Sequence, residues 1–123
     1  MFGRSKKPAP KGPDFSDVDS QKKAEALYRK GQLEKLLLLP EEFGGQDIPD
    51  NTLYVPPGVS AIKERIDINM IGPLVDDGKV KRYTAEPEYQ GDSFIPIALK
   101  ITAWDPGEFT TTIRIWGQAL ERE

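Results

Sequence analysis

Tryptophan, cationic and hydroxyl side chains could meet on one face of a C-terminal β-hairpin. Residues 94–104 and 109–116 alternate apolar and polar side chains around the turn sequence Asp105-Pro106-Gly107-Glu108. Both aliphatic rows are buried together only if odd-numbered residues oppose odd-numbered ones, as with Leu99 opposite Ile113. This register predicts a loop of three or five residues, or a β-bulge.

The other face of that hairpin is the first candidate binding surface, with the side chains of Lys100, Trp104, Thr112, Arg114 and Trp116. Exposed aromatic rings beside arginine are typical of the residues that dominate protein interfaces. The alternative is a solvated, threonine-rich face whose indoles are covered by the first helix or by Ala119 and Leu120.

A second candidate is an acidic loop over residues 41–51, which contains Glu41, Glu42, Asp47 and Asp50. Clustered carboxylates could bind calcium or a basic partner, and the alternative is a set of solvated loop charges. The spacing of an EF-hand calcium loop is absent, so we predict no metal or cofactor site. Further on, the amides of Gly58 and Val59 could accept an anion at a helix start, with Tyr54 beside them.

The absence of cysteine and histidine excludes most catalytic chemistries. No thiolate nucleophile, disulfide, catalytic triad with imidazole, or cysteine- or histidine-ligated metal can form. Carboxylates, lysines and tyrosines are the remaining acid–base groups, and these need burial or a charged neighbour to act near neutral pH. No catalytic residue is therefore predicted, and a non-enzymatic protein is favoured.

Two helices are predicted to position these residues. Good helix formers indicate a small N-terminal helix over about residues 19–30, which ends at Gly31. Apolar residues at helical spacing predict a main core helix over about residues 58–77, broken or kinked near Pro73. The residues of its predicted core-facing stripe are Val59, Ile62, Ile66, Met70 and Leu74.

Short strands are predicted at residues 36–39 and 52–55, and a further strand over 79–89 would lie at a sheet edge because of Pro87. With the hairpin, these give an α+β fold: a mostly antiparallel sheet of four to five strands packed on the core helix. The strand at 52–55, the helix and the strand from Lys79 would form a β-α-β step.

The charge is divided along the chain. Four basic residues and Asp14 give residues 1–15 a charge of +3, which leaves −6 on the rest of a chain whose net charge is −3. Few apolar and many proline and glycine residues in this segment predict a disordered basic tail, followed by one domain over residues 16–123. The tail could touch a membrane peripherally through Phe2 and its basic residues, whereas the acidic body makes nucleic-acid binding an unfavourable interpretation.

These features predict a small protein-binding or adaptor protein that acts through the tryptophan-bearing sheet face and the acidic loop. Its partner would have a basic surface, as in an immunity-like protein that neutralises a basic toxin. One alternative is a small enzyme using carboxylate, lysine or tyrosine chemistry, and another is a membrane-peripheral protein using the tail. The longest aliphatic run, Leu36 to Leu39, is too short for a membrane span or the core of a secretion signal, so we expect a cytoplasmic protein.

Overall fold

Five strands divide between two antiparallel sheets in the computed structural model, which describes residues 13–122. The α+β class and the strand number are confirmed, but the strands form two sheets, β1-β2 and β3-β4-β5, so β2 and β3 make no β-α-β unit. The helices and strands are α1 (Gln21–Arg29), β1 (Glu34–Leu37), β2 (Thr52–Val55), α2 (Val59–Arg65), α3 (Gly72–Asp76), β3 (Arg82–Glu88), β4 (Ala98–Trp104) and β5 (Glu108–Arg114).

The three-stranded sheet has the predicted register. Leu99 lies opposite Ile113, and Trp104 opposite Glu108, so residues 105–107 form a three-residue loop. Pro87 lies on β3, at one edge of the sheet, as predicted. The odd-numbered side chains of β4 are buried and face the core, whose most enclosed residues are Val55, Ile71, Ile95, Ile97, Leu99, Ile101 and Trp116.

The central helical segment contains a π-helix over Ile66–Ile71 between α2 and α3. The Gly72 amide donates to the Asp67 carbonyl, a bond that spans five residues, directly before Pro73, which has no N–H to donate. The interruption near Pro73 is thus confirmed as a change of helix type.

The predicted core-facing stripe of this segment is confirmed for Val59, Ile66 and Leu74, which are buried or pack against the core, and wrong for Ile62 and Met70. The buried residues are Val59, Lys63, Asp67 and Ile71. The side chains of Ile62 and Met70 are instead 40% and 51% exposed. Apolar spacing found the helix but only part of its buried face, because that face also contains the charge pair Lys63 and Asp67.

The helix α1 agrees with its prediction. The Ser20 hydroxyl accepts a hydrogen bond from the Lys23 amide at the N-terminus, and Gly31 takes a positive φ of 78° after the C-terminus. Before it, Phe15 packs edge-on against Trp116 with ring centroids 5.7 Å apart, although the sequence placed Phe15 in the tail. The basic tail residues Arg4, Lys6, Lys7 and Lys11 lie outside the described residues. Between residues 13 and 122, no helix is both long and apolar enough to cross a bilayer.

Candidate functional site

The predicted outer face of the hairpin exists, and we call it the polar sheet face. Lys100 lies opposite Thr112, and Thr102 opposite Thr110, where the two hydroxyl oxygens are 3.2 Å apart. The side chains of this face are Lys100, Thr102, Trp104, Thr110, Thr112 and Arg114, of which Thr102 and Trp104 are half-buried and the others exposed.

Trp116 does not belong to the polar sheet face. The amides of Ile115 and Trp116 both donate to the Ile97 carbonyl, at 2.7 and 3.2 Å, which is the hydrogen-bond pattern of a β-bulge. The bulge interrupts the alternation, so Trp116 turns into the core, where it is 1% exposed and its Nε1–H donates to the Ile95 carbonyl at 3.0 Å. The predicted pair of exposed indoles is therefore reduced to Trp104.

The C-terminal end of the chain covers part of the polar sheet face. A 3-10 helix over Gly117–Glu121 brings Arg122 to Glu88, with which it forms a bidentate ion pair. Arg114 also donates to the Arg122 carbonyl. Ala98, which lies between Glu88 and Arg114 in the sheet, is buried beneath this bridge.

The acidic loop does not gather its four carboxylates. Glu41 and Glu42 begin a 3-10 helix and line a pocket beside β1, whereas Asp47 lines a different groove and pairs with Lys35 at 3.8 Å. Asp50 lies in a second 3-10 helix and is exposed. Within residues 13–122, no three carboxylates are grouped so that they could hold a metal ion.

The predicted anion position at the start of α2 is filled by the protein itself. The Glu34 carboxylate accepts hydrogen bonds from the Gly58 and Ser60 amides, at 3.2 and 2.9 Å. A side chain of β1 therefore caps α2 and neutralises the positive end of its dipole.

A polar trio of the buried Lys63 and Asp67 and the half-buried Tyr83 lies between the central helical segment and the sheet. Lys63 Nζ donates to Asp67 Oδ2 at 2.6 Å and to the Tyr83 hydroxyl at 2.8 Å. The Tyr83 hydroxyl donates in turn to Asp67 Oδ1 at 2.7 Å. Each member bonds the other two, so the trio is a closed ring of hydrogen bonds.

Burial shifts the pKa of two members of the trio, Lys63 and Tyr83. It lowers the pKa of Lys63, an effect that the nearby Asp67 and Glu42 carboxylates oppose. Burial and the hydrogen bond to Asp67 raise the pKa of Tyr83. Lys63 and Asp67 also line the open pocket of about 210 Å³ that Glu41 and Glu42 border.

An aromatic groove of about 360 Å³ lies beside β2. Its apolar lining includes Ile48, Tyr54, Tyr89 and Phe94, and its charged side chains are Glu25, Lys35 and Asp47. Ile48, Tyr89 and Phe94 are 47%, 44% and 46% exposed. Tyr54 is held in place by Tyr28, with ring centroids 5.2 Å apart.

Comparisons with protein-family models, curated proteins and solved structures find no match.

Sequence patterns missed the two most organised sites. Lys63 and Asp67 are four residues apart within a predicted core helix, and a charge pair at that spacing was the available signal for the trio. Tyr89 and Phe94 flank the segment Gln90-Gly91-Asp92-Ser93 between two predicted strands, a pair of aromatic residues that could have marked the groove.

Proposed function

We propose that this chain is a small, non-enzymatic protein-binding protein whose contact site is the aromatic groove. The observation that carries the proposal is the exposure of Ile48, Tyr89 and Phe94 around one concave surface. Large apolar side chains rimmed by polar ones are typical of protein-binding sites, and aromatic residues dominate their affinity.

The partner that best fits has an apolar anchor and basic side chains. The groove is lined by two carboxylates, Glu25 and Asp47, and by one cation, Lys35, so carboxylates outnumber cations. Residues 16–123 also have a net charge of −6, which attracts a basic protein over a longer range. Neutralisation of a basic toxin or enzyme is one form of this function, and a cytoplasmic location belongs to the same proposal.

Affinity capture from the native cell lysate tests the groove against the polar sheet face. We expect Phe94→Ala and Tyr89→Ala to lose the proteins that the wild-type chain captures, and the purified candidate partner to bind the variants at least tenfold more weakly. Trp104→Ala is the matched aromatic control and should bind as the wild type does. Equal binding by all variants, or a loss only with Trp104→Ala, would refute the groove as the contact site.

A second candidate function is acid–base catalysis in the pocket beside β1, favoured by the trio that lines it. A buried lysine next to a carboxylate and a phenol is the kind of group whose protonation enzymes adjust. We rank this function second because each member of the trio already bonds the other two, which is the arrangement of a structural contact.

Reductive trapping with pyridoxal and borohydride tests this second candidate. An accessible, reactive amine at Lys63 would be labelled faster than the exposed Lys35, as read by mass spectrometry of peptides. Labelling of Lys35 without Lys63 would assign the trio to structure alone.

A further inference from the structure

We propose that the free edge of β5 pairs with β5 of a second copy of this chain, which joins the two three-stranded sheets into one of six strands. The inference goes beyond the binding of a partner in the aromatic groove, because β5 shares no residue with that groove.

The hydrogen-bond pattern shows which groups of β5 point outward. The Asp105 amide donates to the Gly107 carbonyl and the Ile115 amide to the Ile97 carbonyl, so odd-numbered residues make the bonds between β4 and β5. The N–H and C=O groups of Glu108, Thr110, Thr112 and Arg114 therefore point away from β4. Within residues 13–122, no hydrogen bond from a turn, a loop or another element outside the sheet ladder reaches the backbone groups of Thr110 or Thr112.

The two edges of this sheet differ in how well they are protected against pairing with a further strand. Pro87 stands at an outward-pointing position of β3, where a proline removes a donor and discourages pairing. The β5 edge is seven residues long and contains neither proline nor glycine. Threonine, phenylalanine and isoleucine, which favour strands, occupy its middle, so it is a ready template for another strand.

The sequence of β5 is complementary to itself in the antiparallel direction. When two copies pair about Thr111, Glu108 of each lies opposite Arg114 of the other, and Thr110 opposite Thr112. Both pairs join even-numbered residues, whose backbone groups are the outward-pointing ones, so the hydrogen bonds form in register. On the inner face, Phe109 lies opposite Ile113, an apolar pair.

The central helical segment supplies an apolar cover for this pairing. Ser60 donates to the Lys35 carbonyl, so its flank of α2 faces β1. The helix α2 also contacts β5, and its Lys63 bonds Tyr83 on β3. The flank with Ile62, Ile66 and Met70 lies on another side of the helix from Ser60, and two of its three residues are exposed. A second copy would bury this flank, which accounts for apolar residues at helical spacing outside the core.

Charge exchange tests the proposal on the full chain. We expect light scattering during gel filtration to give twice the 13.8 kDa chain mass for the wild type. Glu108→Arg and Arg114→Glu each place like charges opposite one another at both ends of the pair, so each should weaken the dimer by roughly tenfold or more. When the two variants are mixed, every charge again faces its opposite, and a heterodimer should form.

Circular dichroism melts of both variants provide the control for folding, since Arg114→Glu also loses the bond to the Arg122 carbonyl. A wild-type chain that stays monomeric at its solubility limit would overturn the proposal. So would single variants that remain dimeric, because the dimer would then use another surface, or a mixture of folded variants that forms no heterodimer.

Discussion

Lys63, Asp67 and Tyr83 fasten the central helical segment to the sheet at a point where most proteins would place apolar side chains. Removing two charges from water costs several kcal/mol each, and only well-formed hydrogen bonds offset that cost. The three distances of 2.6–2.8 Å meet this condition. We therefore expect the trio to add little to the free energy of unfolding. Its role is to fix one position of the helix on the sheet.

Single and combined substitutions in the trio should have opposite consequences. Lys63→Met leaves a buried carboxylate without its cation, and we expect it to lower the free energy of unfolding by about 3–5 kcal/mol. The combined variant Lys63→Met, Asp67→Leu, Tyr83→Phe removes every polar group together and should return close to wild-type stability. Urea unfolding measures both values. A combined loss as large as the sum of the single losses would show that the trio stabilises the fold outright.

Two individual residues, Trp116 and Tyr83, show where prediction of the site from the sequence failed. The alternation that correctly placed Lys100 and Thr112 on the polar sheet face failed at Trp116, because a bulge shifts the phase and depends on contacts with Ile97. The trio was likewise hidden, since the residue that satisfies Lys63 and Asp67 is Tyr83, on a strand at least 16 residues away.

The loop between β1 and β2 shows the same limit for whole elements. The sequence correctly predicted a loop here. Glycine is required at position 45 because another part of the backbone approaches it closely, and not because the chain turns there. A Cβ atom at Gly45 would lie 1.8 Å from the Leu39 carbonyl oxygen. Asn51 then ties this loop together, with bonds to the amide and carbonyl of Leu39 and to the Gln46 carbonyl. Close packing and these hydrogen bonds thus fix the conformation of the loop, which places Asp47 and Ile48 in the lining of the aromatic groove.

Adding one methyl group to this loop should disturb both the fold and the groove. We expect Gly45→Ala to lower the free energy of unfolding by about 1–3 kcal/mol, because a backbone carbonyl must move to make room. Since the displaced loop carries Asp47 and Ile48, partner binding should weaken as well. Gly72→Ala is the matched control: its nearest contact would be an ordinary 3.5 Å, so its stability should be unchanged or higher by up to about 1 kcal/mol. Equal thermal stability of the two variants would contradict the close fit.

At the scale of the whole molecule, the two proposed contact surfaces are separate. The aromatic groove belongs to the side of α1 and β2, and the β5 edge ends the other sheet. A dimer through β5 therefore leaves two grooves open, and two grooves on one particle raise the apparent affinity for a partner with repeated sites. Self-association and partner binding then act together instead of competing for one surface.

The pH dependence of the free energy of unfolding in alkaline solution reports on the ionisation of Tyr83, because Tyr83 ionises more readily in the unfolded chain than in the folded one. The pKa of Tyr83 is raised in the folded state, so its contribution is complete below its ordinary pKa of 10.0 and is lost as the pH rises above that value. Lys63 acts in the opposite direction, because its lowered pKa makes the folded state more favourable as the pH rises towards 10.5, and this effect ends there. Above about pH 10.5 the wild-type free energy of unfolding should therefore fall more steeply than that of Tyr83→Phe, by up to about 1.4 kcal/mol per pH unit. Urea unfolding of both chains across this range measures the difference. Parallel curves would mean that Tyr83 ionises as readily in the folded protein as in the unfolded one, which its burial and its bond to Asp67 do not allow.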